Sequence, residues 1–303
     1  MNAMTTLGIV RRNLTIFFRD RGQVFFAVLA PLILLMLYVL FLGRMQITSL
    51  EADMQDTPPE DIGAFIYSWV LAGMVLITTL SASLSAMGAF VTDRVAGRFK
   101  EFRVSPVRES ELAVGYLVSS VVISLVLSLA VLLVGSVVLG LMYGAWSTPM
   151  GYLQAVLYTA LLCFTFSALA ALTVTFVRSE GAFSGLATMV GTLAGFAAFA
   201  YIPIGVVTDT VASVLNTLPF AQGAMLLRDP LSGPALETML EPFPDSVRGE
   251  TLEFFRGFYG YEAYIGDLEL TPMLVVVILV VLTVVFTALA AWRIRRLTKL
   301  DMR

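Results

Sequence analysis

Five stretches of more than 20 residues contain no Asp, Glu, Lys or Arg, and the longest of them runs from residue 112 to 177. The other four cover 22–43, 62–92, 181–208 and 270–292. A helix of about 20 apolar residues crosses the hydrocarbon of a bilayer, whereas one helix over 112–177 would be about 100 Å long. This run must therefore fold back, and YGAWSTPMGY at 143–152 supplies the glycine and proline of a turn. The pattern predicts six transmembrane helices.

The composition agrees with an all-α integral membrane protein. Of the 303 residues, 58% are hydrophobic and 14% are charged, and the mean hydropathy is +0.87, which is too apolar for an ordinary soluble domain. We predict one transmembrane domain over 1–303, with spans at 22–43, 63–90, 112–142, 151–177, 182–202 and 271–292. Cys163 is the single cysteine and there is no histidine, so an intrachain disulfide and a cysteine-based zinc site are excluded. We expect no bound metal.

The basic residues are distributed unevenly between the two sides that six spans would create. Residues 1–21, 93–111, 178–180 and 293–303 together hold 15 of the 19 basic residues and 7 of the 22 acidic ones. The opposite side holds 4 basic and 15 acidic residues. Because Lys and Arg accumulate in cytoplasmic flanks, both termini are predicted to be cytoplasmic in the cell membrane. The long segment 209–269 is then predicted to be an extracytoplasmic loop.

The N-terminal segment 1–21 precedes the first apolar run, which is too long for a cleaved signal peptide. Its apolar residues recur at helical spacing, while its arginines lie elsewhere around the helix. The recurring residues are Met4, Leu7, Val10, Leu14 and Phe17. We predict an amphipathic helix that lies on the inner membrane surface. A basic tail that only sets topology is the alternative.

The distribution of ionisable residues bears on how the protein could do work. No predicted span contains such a residue, which argues against an ion-coupled carrier, and the serines in the spans have no nearby base to activate them. The two lysines, Lys100 and Lys299, follow Phe and Thr, so the chain lacks the Gly-Lys of a P-loop. We expect no cofactor on this chain and no enzyme activity of its own. ATP and Mg would be bound by a separate ATPase that docks on the cytoplasmic face.

One charged block, DRVAGRFKEFRVSPVRESELAVGY at 93–116, separates two apolar runs and carries five basic and four acidic residues. Val95, Phe99 and Phe102 share one helical face. Arg94, Arg98 and Glu101 share an adjacent face, Asp93 can cap the start, and Ser105-Pro106 ends the helix. We interpret this segment as a short amphipathic helix that docks on a partner. The alternative is a surface helix whose Phe side chains dip into lipid headgroups.

Three segments of the sequence carry a family resemblance: FFRDRGQVFFAVLAPLILL at 17–35, the D-R-x-x-G start and S-P-V break of the charged block, and NTLPFAQGAMLLRDP at 216–230. In these segments the chain resembles the permease subunits of ABC-2 type exporters. It implies that 93–105 is a coupling helix seated in a groove of a nucleotide-binding ATPase subunit. The implied coupling residues are Arg94, Val95, Arg98, Phe99, Glu101 and Phe102. It also implies a pair of permease subunits, as a homodimer or a heterodimer.

In that family, substrate passes near the dimer interface along the second and fifth spans, here 63–90 and 182–202. The candidate path residues are Thr78, Ser81, Ser85, Phe183, Phe196, Phe199 and Tyr201. The aromatic ones among them could equally face lipid. Four glycines of the fifth span form small-xxx-small pairs for close packing in the dimer or within the chain: Gly181, Gly185, Gly191 and Gly195. Tyr201-Ile202-Pro203 is expected to mark a break into a re-entrant piece.

These expectations favour an exporter that moves an amphipathic or hydrophobic compound, such as a drug, lipid or peptide, with ATP hydrolysed by another subunit. A polysaccharide or lipid-linked polymer exporter is the nearest alternative. An ATP-independent carrier or a non-transporting interaction protein is the alternative from another class. The ten acidic residues of 209–269 suit contact with cationic substrates, although topology and solubility explain them equally. Membrane lipid is an expected partner, and nucleic acid is not.

Overall fold

The computed structural model describes residues 3–99 and 108–300, apart from the side chains of residues 109, 295 and 297–300. The helices are α1 (Ala3–Arg19), α2 (Arg21–Leu37), α3 (Gly43–Asp53), α4 (Pro59–Ala86), α5 (Gly88–Val95), α6 (Glu109–Tyr143), α7 (Pro149–Val174), α8 (Glu180–Ala197), α9 (Asp209–Asn216), α10 (Pro219–Leu240), α11 (Asp245–Tyr259) and α12 (Pro272–Leu300). The remaining elements are a π-helical turn (Tyr38–Leu42), a 3-10 turn (Ile204–Val206) and an antiparallel hairpin of β1 (Tyr264–Ile265) and β2 (Leu268–Glu269). The all-helical prediction is confirmed.

Five helical segments in the described part of the chain are long and apolar enough to cross a membrane. They are Arg21–Asp53, Pro59–Val95, Ser110–Tyr143, Pro149–Val174 and Pro272–Ile294. Each overlaps one predicted span. A sixth candidate consists of α9 and α10, which meet at an angle of 93°. The chain is therefore a multi-pass membrane protein with five or six candidate spans.

The predicted span at 182–202 coincides with α8, which is not among these five segments. This helix has 18 residues, so it is about 27 Å long. Its sequence, EGAFSGLATMVGTLAGFA, is rich in Gly, Thr and Ser, and these small or polar residues lower its hydropathy. The sixth candidate instead lies inside 209–269, the segment that the sequence predicted to be an outer loop.

Helix α4 forms the centre of the molecule. Nearly all of its residues from Ile62 to Ala86 are buried, and it packs against α2, α6, α7 and α10. Its largest side chains, Phe65 and Trp69, are almost fully enclosed. These neighbours surround α4, so it is an interior helix within this one chain.

The N-terminal helix α1 is amphipathic, as predicted, but its packed face differs from the predicted one. Ile9, Val10, Asn13 and Phe17 are buried, and α1 packs on α6 and α2. Met4 is 82% exposed, and Leu7 is exposed as well. The apolar stripe is thus divided between a face on the protein and a face left open.

The segment 209–269 folds as helices α9, α10 and α11 followed by the β-hairpin. Most of α10 is buried, and this helix packs against α4 and α7. Phe255 and Tyr259 of α11 stack at 5.8 Å between ring centroids, and both rings lie against Phe65 of α4. These two aromatic residues therefore anchor α11 to the central helix.

The helical conformation is interrupted after α8, close to the predicted position. The helix ends at Ala197 rather than at Tyr201. Phe199 has a φ of 52°, a left-handed conformation that costs free energy for an L-residue with a bulky side chain. Phe199 is buried, and Pro203 precedes the 3-10 turn. The reversal is therefore imposed by packing around Phe199.

Candidate functional site

The charged block begins within a helix rather than at its start. Asp93 lies inside α5, which runs from Gly88 to Val95, so its predicted role as an N-cap is wrong. Gly97 has a φ of 72°, in the left-handed region that favours glycine. The predicted continuous helix over 93–105 is therefore interrupted at Gly97.

The predicted coupling residues have different surroundings. Val95 is 50% exposed. Phe99 is partly buried, and its ring lies 5.2 Å from that of Phe90 and 6.5 Å from that of Tyr116. It thus packs on the core of its own chain. Glu101 and Phe102 lie outside the described residues.

Asp93 is the centre of a buried polar cluster that joins three helices. Its side chain is 2% exposed. Arg12 of α1 donates two hydrogen bonds to its carboxylate, at 2.7 and 2.8 Å, and Arg98 donates a third at 2.6 Å. Tyr116 of α6 donates to Asp93 Oδ2. Two guanidinium groups and a hydroxyl therefore compensate the burial of one carboxylate, as a buried charge requires.

We call Arg12, Asp93, Arg98 and Tyr116 the Asp93 cluster. The hydrogen bond with Asp93 raises the pKa of Arg12, which remains a cation at any physiological pH. Beside the cluster, Asn13 Nδ2 donates to Ser119 Oγ at 3.2 Å, a second bond between α1 and α6. The cluster therefore connects α1 to α5 and α6.

Arg94, the neighbour of Asp93, points toward α7. Its Nη1 donates to the carbonyl oxygens of Thr175 at 3.3 Å and Val177 at 2.9 Å. These carbonyls lie just beyond the C-terminal end of α7, where helix carbonyls lack partners and carry partial negative charge. The predicted coupling residue Arg94 thus links α5 to α7.

The candidate path residues on α4 face the protein interior. Thr78 is buried and donates to Met74 O at 2.6 Å. Ser81 donates to Ala27 O of α2 at 2.8 Å, and Ser85 is partly buried. Within one chain, these residues form helix contacts rather than a channel wall.

The candidate path residues after α4 are spread over different environments. Phe196 is 52% exposed, and its ring lies 4.8 Å from that of Tyr201. Phe199 is buried in the chain reversal. Phe183 packs over Gly88, where an added Cβ would lie 3.0 Å from the Phe183 ring. The structure does not bring the seven predicted residues together in this chain.

The four glycines of α8 also differ. A Cβ added at Gly195 would lie 2.1 Å from Tyr201 Cζ, so Gly195 serves packing within the chain. Gly191 faces Ala30 across an ordinary contact distance of 3.9 Å. Gly181 and Gly185 have no atom within 4 Å of such a Cβ among the described residues. They lie on an exposed face of the helix.

Arg228 of α10 is a second buried charge, and it is a cation. It donates to Ala198 O at 3.0 Å, Phe199 O at 2.9 Å and Gly260 O at 2.7 Å. Its guanidinium lies 5.3 Å from the ring centroid of Trp69. Carbonyls at the ends of α8 and α11, together with an aromatic face, therefore stabilise this charge. Arg228 fixes the reversal after α8 to α10 and α11.

The sequence contains a signal for each of the two buried sites, at Asp93 and at Arg228. The sequence-based predictions did not use either signal. Asp93 is the first charged residue after a run of 31 uncharged ones, and Arg228 is the only basic residue between 209 and 247. An isolated charge beside apolar sequence is a candidate for burial with a partner. The partners themselves are remote, since Arg12 is 81 positions from Asp93.

A comparison of the sequence with models of known protein families found a match. Residues 42–292 match the family model described as ABC-2 family transporter protein. The match covers well over half of the chain and includes every described element from α3 to the main part of α12. A comparison with curated proteins found no match.

Proposed function

Because the chain belongs to the ABC-2 family of transporter proteins, as the membrane-spanning permease and not the ATPase, we propose that it exports an amphipathic or hydrophobic compound with ATP hydrolysed by a separate subunit. The sequence supports the separation of roles, since neither of its two lysines follows a glycine as a P-loop requires. Membership in this family favours the proposal over an ATP-independent carrier.

The observation that carries the proposal is the Asp93 cluster at the start of the coupling segment. Asp93 is held by Arg12 of α1 and Tyr116 of α6, while the adjacent Arg94 holds the end of α7. A displacement of the segment by a docked ATPase would therefore act on three helices at once. ATP-driven closure of two ATPase subunits would move these helices as rigid bodies and switch the pathway from inward-open to outward-open.

This proposal places the coupling segment and both termini in the cytoplasm of a cell-membrane protein. The excess of basic residues in 1–21, 93–111, 178–180 and 293–303 supports that orientation. The segment that contains α9, α10 and α11 then lies on the outer side. Its helices would close the exit of the path.

A second permease subunit, identical or different, completes the proposed assembly. The exposed face of α8 supports pairing there, because Gly181 and Gly185 leave space for close approach of another helix. The path would then run beside this face, near the exposed ring of Phe196. The interior location of Thr78 and Ser81 leaves them a role in positioning α4.

Two adjoining clefts on the outer segment support export of compounds that carry a positive charge. One, of about 730 Å³, includes Asp209, Glu262 and Tyr264 in its lining. The other, of about 580 Å³, includes Glu250 and Glu253, and it shares Asp209 with the first. No Lys or Arg among the described residues lines either cleft, so a cation that leaves the path would meet carboxylates.

The test is reconstitution of the chain and its copurifying ATPase in lipid vesicles, with a panel of drugs, lipids and peptides. Export should continue when ionophores collapse the proton and sodium gradients at constant ATP. It should stop when the P-loop lysine of the ATPase is replaced. Transport that is abolished by an ionophore at constant ATP would contradict the proposal.

A further inference from the structure

A groove of about 610 Å³ lies between the end of α7 and the beginning of α8. Its wall is mainly apolar and carries one charged side chain. The lining includes Leu172, Phe176, Val177, Arg178, Ala182 and Leu186. No residue that lines the groove lines either outer cleft. None belongs to the Asp93 cluster or to the Arg228 site.

One arginine lines this groove, and a second arginine lies over the ring of its aromatic residue. Arg178 is exposed and forms part of the lining. Arg293 of α12 lies 3.8 Å from the ring centroid of Phe176, and its buried Nε has no hydrogen-bond partner. Among the described residues, neither arginine forms an ion pair. In the part of the chain that the structure describes, the groove therefore combines an apolar wall with positive charge that no carboxylate pairs.

The position of the groove matches a membrane boundary. Val174 ends the candidate span of α7, and Arg293 directly follows the charge-free stretch 270–292 that forms most of α12. Residues 178–180 and 293–303 belong to the same basic flank. In the orientation given under the proposed function, on which this inference rests, the groove opens at the cytoplasmic leaflet.

We propose that this groove binds one anionic phospholipid of the cytoplasmic leaflet. The headgroup phosphate lies between Arg178 and Arg293, because guanidinium groups match phosphate oxygens in geometry and charge. An acyl chain follows the apolar wall past Ala182 and Leu186. The bound lipid connects α7 and α8 to α12 at the level where the coupling segment meets the membrane.

Charge complementarity favours a lipid over a second copy of the chain as the occupant. An isologous contact through this groove would bring together the Arg178 and Arg293 side chains of both copies, and no carboxylate lines the described groove to pair with them. Cytoplasmic leaflets supply anionic headgroups at high local concentration. The lipid supplies the phosphate and the acyl chain together.

The test uses the full purified chain in detergent, with native mass spectrometry to count bound phosphatidylglycerol and titration to obtain its apparent affinity. The Arg178→Gln/Arg293→Gln double variant should bind this lipid at least tenfold more weakly than the parent. Arg296→Gln is the matched control, because Arg296 is on the same helix as Arg293 but lies over the Trp292 ring, at 4.0 Å, rather than over Phe176 of the groove. It should bind like the parent.

A second variant separates the acyl-chain wall from the charges. Ala182→Phe fills the groove without changing its charge, and it should also weaken phosphatidylglycerol binding. Equal affinity for phosphatidylcholine, unchanged binding by both variants, or full competition by inorganic phosphate would each overturn the proposal. The measurement needs neither ATPase nor substrate. A failure to bind this lipid would therefore contradict the proposed lipid site alone. Ionophore-sensitive transport would contradict the proposed export function alone.

Discussion

Arg12 and Asp93 are 81 positions apart and are joined by two parallel hydrogen bonds of 2.7 and 2.8 Å. Arg12 is 33% exposed at its side chain, whereas Asp93 is 2% exposed. The pair therefore extends from the protein surface to a buried carboxylate. It makes the N-terminal helix part of the coupling machinery that we propose.

Loss of Arg12 should destabilise the chain more than loss of its neighbour Arg11. Hydrogen bonds between charged groups contribute about 1.5–3 kcal/mol, so Arg12→Ala should lower the free energy of unfolding by about 2 kcal/mol. Arg12→Lys should be intermediate, since an ammonium group does not reproduce the planar two-bond contact. Denaturant titration of the purified chain measures these differences.

Arg11→Ala is the matched control for this comparison. Arg11 is exposed, and exposed substitutions change stability by within about 0.5 kcal/mol. If Arg12→Ala and Arg11→Ala unfold alike, the Asp93 cluster does not hold α1 in place.

Phe99 and Phe102 should have separable effects. Phe99 packs on Phe90 and Tyr116, so Phe99→Ala should lower stability by about 1–3 kcal/mol. Phe102→Ala should leave stability unchanged and weaken ATPase docking at least tenfold if this residue is an interface anchor. Thermal unfolding and quantitative copurification distinguish the two outcomes. Normal ATPase binding by Phe102→Ala would favour the lipid-contact alternative for this face.

The apolar spans were predictable because a bilayer excludes charge, and exclusion leaves a continuous signal in one stretch of sequence. The burial of α10 was not predictable in this way. Arg228, Asp229 and Glu237 give this helix the composition of a loop. The charge of Arg228 is tolerated because carbonyls about 30 positions away fold onto it, and local sequence contains no record of that contact.

Residue spacing likewise indicates which side chains share a helical face, but it does not identify what that face contacts. The face shared by Val95 and Phe99 was predicted to meet a partner, but the left-handed conformation of Gly97 interrupts the helix between the two residues. The four glycines of α8 were predicted as one group. The Tyr201 ring beside Gly195 returns to α8 through the chain reversal at Phe199, and spacing along one helix cannot reveal such a return.

Replacement of Arg228 should be among the most destabilising single changes in the chain. Arg228→Ala leaves three carbonyl oxygens without their donor, and each buried unsatisfied group costs about 1–3 kcal/mol. We expect the free energy of unfolding to fall by about 3 kcal/mol or more. Arg228→Lys should recover only part of it, because one ammonium group cannot reach all three carbonyls.

Arg248 is the control for that experiment. It is a partly exposed arginine on α11 that contacts the fully exposed Asp245 at 3.7 Å and donates to the carbonyl oxygen of Glu241, and surface pairs contribute about 0–1 kcal/mol. Equal unfolding of Arg228→Ala and Arg248→Ala would show that the reversal at Phe199 does not depend on the buried guanidinium.

Cysteine labelling tests the proposed orientation. In a Cys163→Ser background, cysteines introduced at Asp56 and Glu241, both exposed, should react from outside intact cells with a membrane-impermeant maleimide. Cysteines at Arg11 and Ser105 should react only after permeabilisation. Ser105 lies outside the described residues, and Arg11 is exposed on α1. External labelling at Arg11 or Ser105 would show that the topology is the reverse of the proposed one. The proposed lipid site would then not open at the cytoplasmic leaflet.

The glycines of α8 offer a matched pair for the last prediction. Gly195→Ala should lower stability by about 1–3 kcal/mol because its Cβ would overlap the Tyr201 ring, at 2.1 Å from Cζ. Gly185→Ala should be neutral or stabilising by up to about 1 kcal/mol, since nothing described lies near its Cβ and alanine favours helix. In a Tyr201→Ala background, the loss of stability caused by Gly195→Ala should be smaller, which a double-mutant cycle measures.

Gly185→Leu should preserve the fold of one subunit but reduce cross-linked permease pairs, because a bulky side chain would prevent close approach at the exposed face. Undiminished pairing of Gly185→Leu would place the subunit interface elsewhere, while an unchanged Gly195→Ala would mean that Tyr201 does not pack against α8.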